Sequence, residues 1–290
     1  MIVRTLARAA GRLPEPVAYW LGRRVGDVMA AWPGRRHRTV LDNLAVAFPE
    51  LDPATRRRLA RASWQHLGVM TMELARMLAS PLDATLRTLT FDGLEHLETA
   101  MREHGRALLL TAHLGNWELL AASHRLTAYG LSIVVRSLDA APLDALASEL
   151  RRKTGVELID KRGALRPVLD ALRRGRLVGI LMDQNAARHE SVFVPFFARA
   201  ASTSKSMALL ALRTRTPVVP VFTHRERRGR HRVVVEPALP WPAAKETEAA
   251  ILELTTRCNE AIERAIRRSP EQWLWSHRRW RTRPATEGRP

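Results

Sequence analysis

The spacing of hydrophobic positions along the chain changes near residue 105. Before that point they recur every three to four residues, as on a helix face, and 53–79 is bounded by Pro53 and Pro81. After it, β-prone runs alternate with helical stretches, which predicts an α/β fold: one domain with a mixed central sheet flanked by helices and a helical N-terminal region. The predicted strands are Ala107–Thr111, Ser132–Val135, Val178–Met182, Val218–Phe222 and His231–Val235.

Residues 17–32 form an amphipathic stretch whose role the pattern leaves open. Its apolar stripe is broken by charged residues, so it falls short of the ~18 apolar residues that a membrane span needs. The tryptophans and arginines are typical of a helix lying in a membrane interface, but a helix packed on the core would carry the same stripe. The stripe comprises Val17, Leu21, Val25, Val28 and Trp32, with Trp20, Arg23, Arg24 and Asp27 among them.

The chain ends in a predicted helix over 246–268, stopped by Ser269-Pro270. Cys258, on the apolar face of that helix, is the single cysteine, which excludes an internal disulfide and a cysteine-based metal site. The expected organisation is an amphipathic, membrane-associating segment over 1–35, a main domain over 36–283 and a flexible tail over 284–290.

The charge is strongly basic, with 47 Lys and Arg against 29 Asp and Glu and a formal net charge of +18. Such an excess predicts an anionic partner: nucleic acid, an anionic membrane or an acidic protein. The basic residues are spread along the chain, and no recognisable nucleic-acid module accompanies them. Nucleic acid is therefore not the expected partner.

Candidate chemistry follows the first predicted strand, because active sites of α/β sheets gather at the carboxyl ends of strands. His113 follows that strand, Gly115 permits a turn, and Asn116 is a suitable N-cap for a helix that opens at Trp117. We expect the carboxylate of Glu118 to fold back onto Nδ1 of His113, leaving Nε2 to take a proton from a hydroxyl. The alternative is a histidine at a strand end and a glutamate that complements a helix dipole.

Two more groups lie at predicted strand ends. Asp183-Gln184-Asn185 could bind substrate or orient His113, or could form a polar turn. Arg136 could pair with an anionic substrate group or remain a solvated surface residue. The run Phe193–Phe197 provides an apolar wall, either core or acyl-chain slot, and the hydroxyls over 201–204 are candidates to cap the next helix.

At these residues the chain resembles the bacterial lipid A biosynthesis acyltransferases, the late or secondary family that includes lauroyl and myristoyl transferases. The similarity keeps the family's order over nearly the whole chain, and its His-x4-Glu and Pro-Glu-Gln-Trp blocks are together highly specific. The blocks are Asn43-Leu44 with Phe48-Pro49-Glu50, 111–118, Val135-Arg136, 183–185, 193–197, 211–214 with 217–220, and 270–280.

The resemblance implies an acyltransferase fold of the glycerolipid acyltransferase type and O-acyl transfer from an acyl carrier protein thioester to a lipid A precursor. It implies action at the cytoplasmic face of the inner membrane, on an anionic membrane surface. The family's histidine and acidic residue correspond to His113 and Glu118 as the catalytic pair. No cofactor or metal is expected. The predicted substrate-binding residues are Arg136, Asp183, Gln184, Asn116 and Gly115.

Two departures from the family pattern affect these expectations. The N-terminal region is charged and only amphipathic where the family commonly has a hydrophobic anchor, which favours peripheral or monotopic association. Ala198 stands where a glycine is usual, beside the predicted substrate region. Two alternatives stay open: the same chemistry on another membrane glycolipid, such as a phosphatidylinositol mannoside, from acyl-CoA, or a non-catalytic basic protein that binds membranes or nucleic acid.

Overall fold

The computed structural model describes residues 2–32, 34–136, 140–227, 229–243 and 248–284. Its helices are α1 (Ile2–Gly11), α2 (Glu15–Ala31), α3 (Arg35–Ala47), α4 (Pro53–Ala79), α5 (Leu82–Leu86), α6 (Leu94–His104), α7 (Trp117–Ala122), α8 (Ala141–Thr154), α9 (Leu165–Arg173), α10 (Ser206–Thr214) and α11 (Glu248–Arg268). Its strands are β1 (Leu89–Asp92), β2 (Ala107–Thr111), β3 (Leu131–Val135), β4 (Glu157–Asp160), β5 (Leu177–Leu181), β6 (Ser191–Phe196), β7 (Arg199–Ser204), β8 (Val218–Arg227) and β9 (Arg230–Val235).

Seven strands form one mixed sheet in the order β1-β9-β8-β2-β5-β3-β4, which confirms the predicted fold class. Neighbouring strands are parallel except β8 and β9, which pair antiparallel. β2 lies inside the sheet between β8 and β5. Leu108 and Leu110 belong to one hydrophobic cluster of the core, and Ala107 belongs to a second cluster. A parallel strand covered on both faces needs an uninterrupted apolar run, which is the pattern that 107–110 carries.

The five predicted strands are present, with β2 found over its predicted residues and β8 extending to Arg227. The sequence did not reveal β1, β4, β6 or β7. β1 and β4 are four residues each and carry alternately exposed side chains, which is a weak periodic signal.

Strands β6 and β7 form a separate antiparallel hairpin over the region predicted as an apolar wall. Phe196 and Phe197 are buried among other aromatic rings, so these two phenylalanines belong to the core, which was one of the two interpretations of the run. The Ser204 hydroxyl accepts a hydrogen bond from the Ser206 backbone N–H, but the N-cap of α10 is Lys205, which makes no side-chain cap hydrogen bond, so the predicted capping by residues 201–204 is wrong.

Helix α2 packs on α4 through its small residues. A Cβ on Gly26 would lie 2.4 Å from the Gln65 Cα, so the two backbones touch at a distance that only glycine permits. This contact turns the large apolar side chains outward: Val28 is 67% exposed and Trp32 is 72% exposed. The helix therefore packs on the domain, but through a different face from the apolar stripe seen in the sequence.

Among the described residues, no helix has both the length and the apolar character required to cross a bilayer. Helix α11 ends at Arg268 as expected, and Cys258 is buried in its core-facing side. The first two residues predicted for it, 246–247, and the predicted tail beyond Pro284 lie outside the described residues.

Candidate active site

The candidate site forms where two neighbouring strands end. β2 and β5 pair in parallel with Thr111 opposite Leu181, so the residues that follow them emerge at the same edge of the sheet. His113 follows β2 and Asp183 follows β5. Both residues therefore lie at the carboxyl edge of the sheet, which is where the sequence predicted the site.

His113 and Asp183 form a hydrogen-bonded pair. Nδ1 of His113 lies 2.8 Å from Oδ1 of Asp183, and the backbone N–H of His113 donates to Oδ2 at 2.9 Å. The indole N–H of Trp273 donates to the same Oδ2 at 2.7 Å. A carboxylate on Nδ1 holds that nitrogen in its protonated form, which leaves the Nε2 lone pair free to accept a proton.

Asp183 is held in its ionised state. Burial by itself raises the pKa of this carboxyl. The charge and hydrogen bonds of His113 and the hydrogen bond from the Trp273 indole outweigh burial and lower the pKa to about 2, against an ordinary 3.8. His113 itself keeps 20% of its side chain exposed, whereas Asp183 keeps 2%. The pair thus presents an accessible imidazole backed by a buried anion.

Glu118 does not fill the position predicted for it. Its carboxylate accepts two hydrogen bonds from the Arg151 guanidinium of α8, from Nε at 3.0 Å and from Nη2 at 2.5 Å. Nδ1 of His113 is taken by Asp183, so the expectation that Glu118 orients His113 is corrected. The physical reason is that α7 opens at Trp117 and directs Glu118 toward α8 rather than back to the strand end.

The turn between strand and helix has the predicted local structure. Gly115 has φ of +60°, and a Cβ there would lie 2.1 Å from the Thr223 carbonyl oxygen, so both conformation and space require glycine. Asn116 caps α7, with its Oδ1 accepting from the Leu119 backbone N–H at 3.1 Å.

Gly115 and Asn116 are both buried, and Asn116 has no exposed surface. The Asn116 side-chain amide donates to Glu73 at 3.1 Å, away from solvent. Its side chain therefore supports the turn, and direct substrate binding by these two residues stays a prediction.

Of the other predicted site residues, Gln184 lies nearest the imidazole. Its exposed side chain places Nε2 3.4 Å from Nε2 of His113. Arg136 is exposed just past β3, at the same edge of the sheet but beyond β5. Asn185 faces the C-terminal segment, residues 269–284, where its side chain forms hydrogen bonds with Thr282.

The sequence reasoning missed three residues that shape the site. Trp273 holds Asp183, and Arg151 holds Glu118. Trp117 packs its ring edge-on to His113, with ring centroids 5.1 Å apart. The Pro-Glu-Gln-Trp block that contains Trp273 was a signal of function, but nothing in its spacing indicated a contact 90 residues away with Asp183.

A small cleft lies beside the pair, between α4 and the C-terminal segment. Trp117 and Trp273 line it, together with His66 and Leu274. The space that it leaves for the centre of a water-sized molecule is about 10 Å³, which is on the order of one water molecule and too little for an acyl chain. A fatty chain entering here would have to displace one of these side chains.

The chain matches the family model described as bacterial lipid A biosynthesis acyltransferase over residues 2–282. It is 28% identical to the lipid A biosynthesis lauroyltransferase of Escherichia coli (strain K12), covering 94% of this chain and 88% of that protein. It is 26% identical to the palmitoleoyltransferase of the same strain, over 95% and 89% of the two chains, and 23% identical to its myristoyltransferase, over 98% and 86%. Because the family model spans nearly every residue, the chain belongs to the bacterial lipid A biosynthesis acyltransferases.

Proposed function

We propose that this protein transfers a fatty acyl chain from an acyl carrier protein thioester to a hydroxyl of a lipid A precursor. The observation that carries the proposal is the accessible His113 imidazole backed by buried Asp183, in a chain of this family. Asp183 takes the orienting role that the sequence assigned to Glu118. A catalytic role for Glu118 stays a prediction from the resemblance.

In the proposed reaction, Nε2 of His113 takes the proton from the lipid hydroxyl as its oxygen attacks the thioester carbonyl. The carbon–sulfur bond then breaks, and the imidazolium returns the proton to the departing thiolate. The thioester is already activated, so no acyl-enzyme is required. In the described part of the chain, no hydrogen bond from the backbone N–H groups of Trp117 and Glu118 is found, and we propose these groups as donors to the developing oxyanion.

We propose that Gln184 and Arg136 contact the acceptor. Gln184 is exposed and within 3.4 Å of Nε2, where an incoming hydroxyl would arrive. The surplus of basic residues supports both an acidic carrier protein and an anionic lipid as partners, since opposite charge speeds encounter.

The direct test of this function is product analysis. Purified full-length protein would be incubated with a tetra-acylated lipid A precursor and a panel of acyl carrier protein thioesters, with acyl-CoA in parallel. We expect a product one acyl chain heavier, made from the carrier-protein donor. A product formed only from acyl-CoA would show that the proposed donor is wrong, and a product formed only on another glycolipid would show that the proposed acceptor is wrong. The absence of transfer to any acceptor would refute the proposal.

The proposed location is the cytoplasmic face of the inner membrane, with peripheral or monotopic attachment through α1 and α2. Both helices pack on α4 and expose large apolar side chains. Leu6 is 64% exposed, Trp20 is 61% exposed, and Val28 and Trp32 are exposed to a similar degree. Exposed tryptophans with neighbouring arginines are suited to the headgroup region of a bilayer.

Replacing both Trp20 and Trp32 by serine is expected to weaken binding to anionic vesicles by at least about tenfold, since burying one large apolar side chain contributes roughly 1.5–3 kcal/mol. Co-sedimentation with phosphatidylglycerol-containing vesicles measures this. Trp241→Ser is the matched control, because Trp241 is also exposed but lies outside these helices. Undiminished vesicle binding by the double variant would contradict attachment through α2.

A further inference from the structure

A buried ionic cluster lies behind the candidate site. At its centre the Glu73 carboxylate of α4 receives the Arg225 guanidinium of β8, with Nε 2.7 Å from Oε1 and Nη2 2.8 Å from Oε2. The Tyr19 hydroxyl donates to Oε1 at 2.5 Å, and His231 lies 3.2 Å from the same oxygen. Glu73 and Arg225 are both largely buried, at 8% and 11% side-chain exposure.

Glu73 and Arg225 form the ion pair of this cluster. Burial raises the pKa of Glu73, but Arg225 more than offsets this and holds the carboxyl well below its ordinary range. Burial and the Arg225 charge lower the pKa of His66 to about 3, so this imidazole is neutral. Its Nδ1 can therefore accept from Nη1 of Arg225, at 2.5 Å, while its Nε2–H donates to the Gly115 carbonyl at 3.2 Å.

Three routes lead from this cluster to the turn that follows His113. Glu73 accepts directly from the Asn116 side-chain amide at 3.1 Å. Arg225 acts through His66 on the Gly115 carbonyl. Arg225 also pairs through its backbone with the Gln272 side chain, and the Gln272 carbonyl accepts from the Gly115 N–H at 3.0 Å. The side chain of Asn116 and the carbonyl of Gly115 are thus linked to the buried ion pair, and the Gly115 N–H is linked to the backbone of Arg225 through Gln272.

We propose that Glu73 is a positioning residue of this site, which acts by holding the 113–116 turn against the sheet. The proposal rests on the proposed function. The reacting groups must be held closely, since a displacement of about 1 Å can cost on the order of a hundredfold in rate. The same carboxylate also binds Tyr19 of α2, so the helix that exposes Trp20 and the site turn are joined through one side chain.

The obvious variant, Glu73→Gln, leaves Arg225 buried without its counter-ion and is expected to lose stability for that reason alone. Asn116→Ser is the sharper variant. Serine preserves the cap on α7, because its hydroxyl is also a good N-cap acceptor, but it is too short to reach Glu73. The Glu73–Arg225 pair stays intact. Asp52→Ser is the matched control, a cap exchange at the exposed start of α4.

We expect Asn116→Ser to lower kcat about 10- to 100-fold, with KM for donor and acceptor unchanged and the melting temperature lowered by no more than a few degrees, because one buried hydrogen bond is lost. Hydrogen exchange of a peptide covering 112–118 should rise. Asp52→Ser should match wild type in both measurements. Wild-type kcat in Asn116→Ser, with or without faster exchange, would overturn the proposal, as would a rise in KM alone, which would indicate direct substrate contact.

The exchange measurement separates this proposal from the proposed function. If the wild-type protein transfers no acyl group, the proposed function fails, and the hydrogen-exchange arm decides by itself whether Glu73 holds the turn. Unchanged exchange over 112–118 in both Asn116→Ser and Glu73→Gln would then refute it. Faster exchange confined to that peptide in Asn116→Ser would support it.

Discussion

The His113→Ala variant is expected to transfer acyl groups about 10²–10⁴ times more slowly than the wild-type protein, the range that a positioned general base contributes. His113 is the accessible member of the pair, and its Nε2 faces outward beside Gln184. The variant should fold, because Asp183 keeps the hydrogen bonds from the His113 backbone and the Trp273 indole. Initial rates measured by product mass, with thermal melting in parallel, test this expectation.

His104→Ala is the matched control for that experiment. His104 ends α6, which leads into the opposite end of β2, and its side chain is 37% exposed. It should retain the wild-type rate. A His113→Ala variant that transfers at the wild-type rate would remove the proposed mechanism, whatever the family of the chain.

Asp183→Asn is expected to lower kcat by on the order of 10³–10⁴, the size of the corresponding change in Ser–His–Asp proteases. An amide that directs its N–H₂ toward Nδ1 favours the tautomer protonated on Nε2, which cannot accept a proton. In the wild type Asp183 stays ionised down to about pH 2, so its own titration does not contribute to the kcat–pH profile above about pH 4.

Glu118→Gln provides the comparison, because Glu118 bonds to Arg151 and not to the imidazole. We expect any loss of kcat in this variant to be reproduced by Arg151→Gln, with the two substitutions together no worse than one alone. A large loss of kcat in Glu118→Gln that Arg151→Gln does not reproduce, together with a wild-type rate in Asp183→Asn, would restore the assignment made from sequence.

Elements with a strong local pattern were predictable from sequence alone. Residues 53–79 form α4 over their predicted span, and β2 matches its continuous apolar run. The strand, glycine turn and asparagine cap around His113 are also as predicted, because each depends on conformational preferences within a few residues.

The carboxylate that binds Nδ1 of His113 could not be predicted in this way. Glu118 and Asp183 both follow predicted strand ends, five and seventy positions from His113, and both carry a group able to bind Nδ1. Which one reaches it depends on β5 lying beside β2, a pairing between distant segments. Sequence spacing contains no information on strand order, so the nearer carboxylate was preferred and proved wrong.

The orientation of α2 was likewise decided by packing. An apolar stripe has the same period whether it faces a core or a bilayer. Gly22 and Gly26 allow α2 to approach α4 so closely that the small-residue face is buried and Trp32 points outward. The sequence by itself determined the fold class, the elements with a strong local pattern and the family blocks, because these follow from local preference and composition. Only the tertiary structure decided which distant side chains meet at His113 and which face of α2 remains exposed, because both depend on how the elements pack.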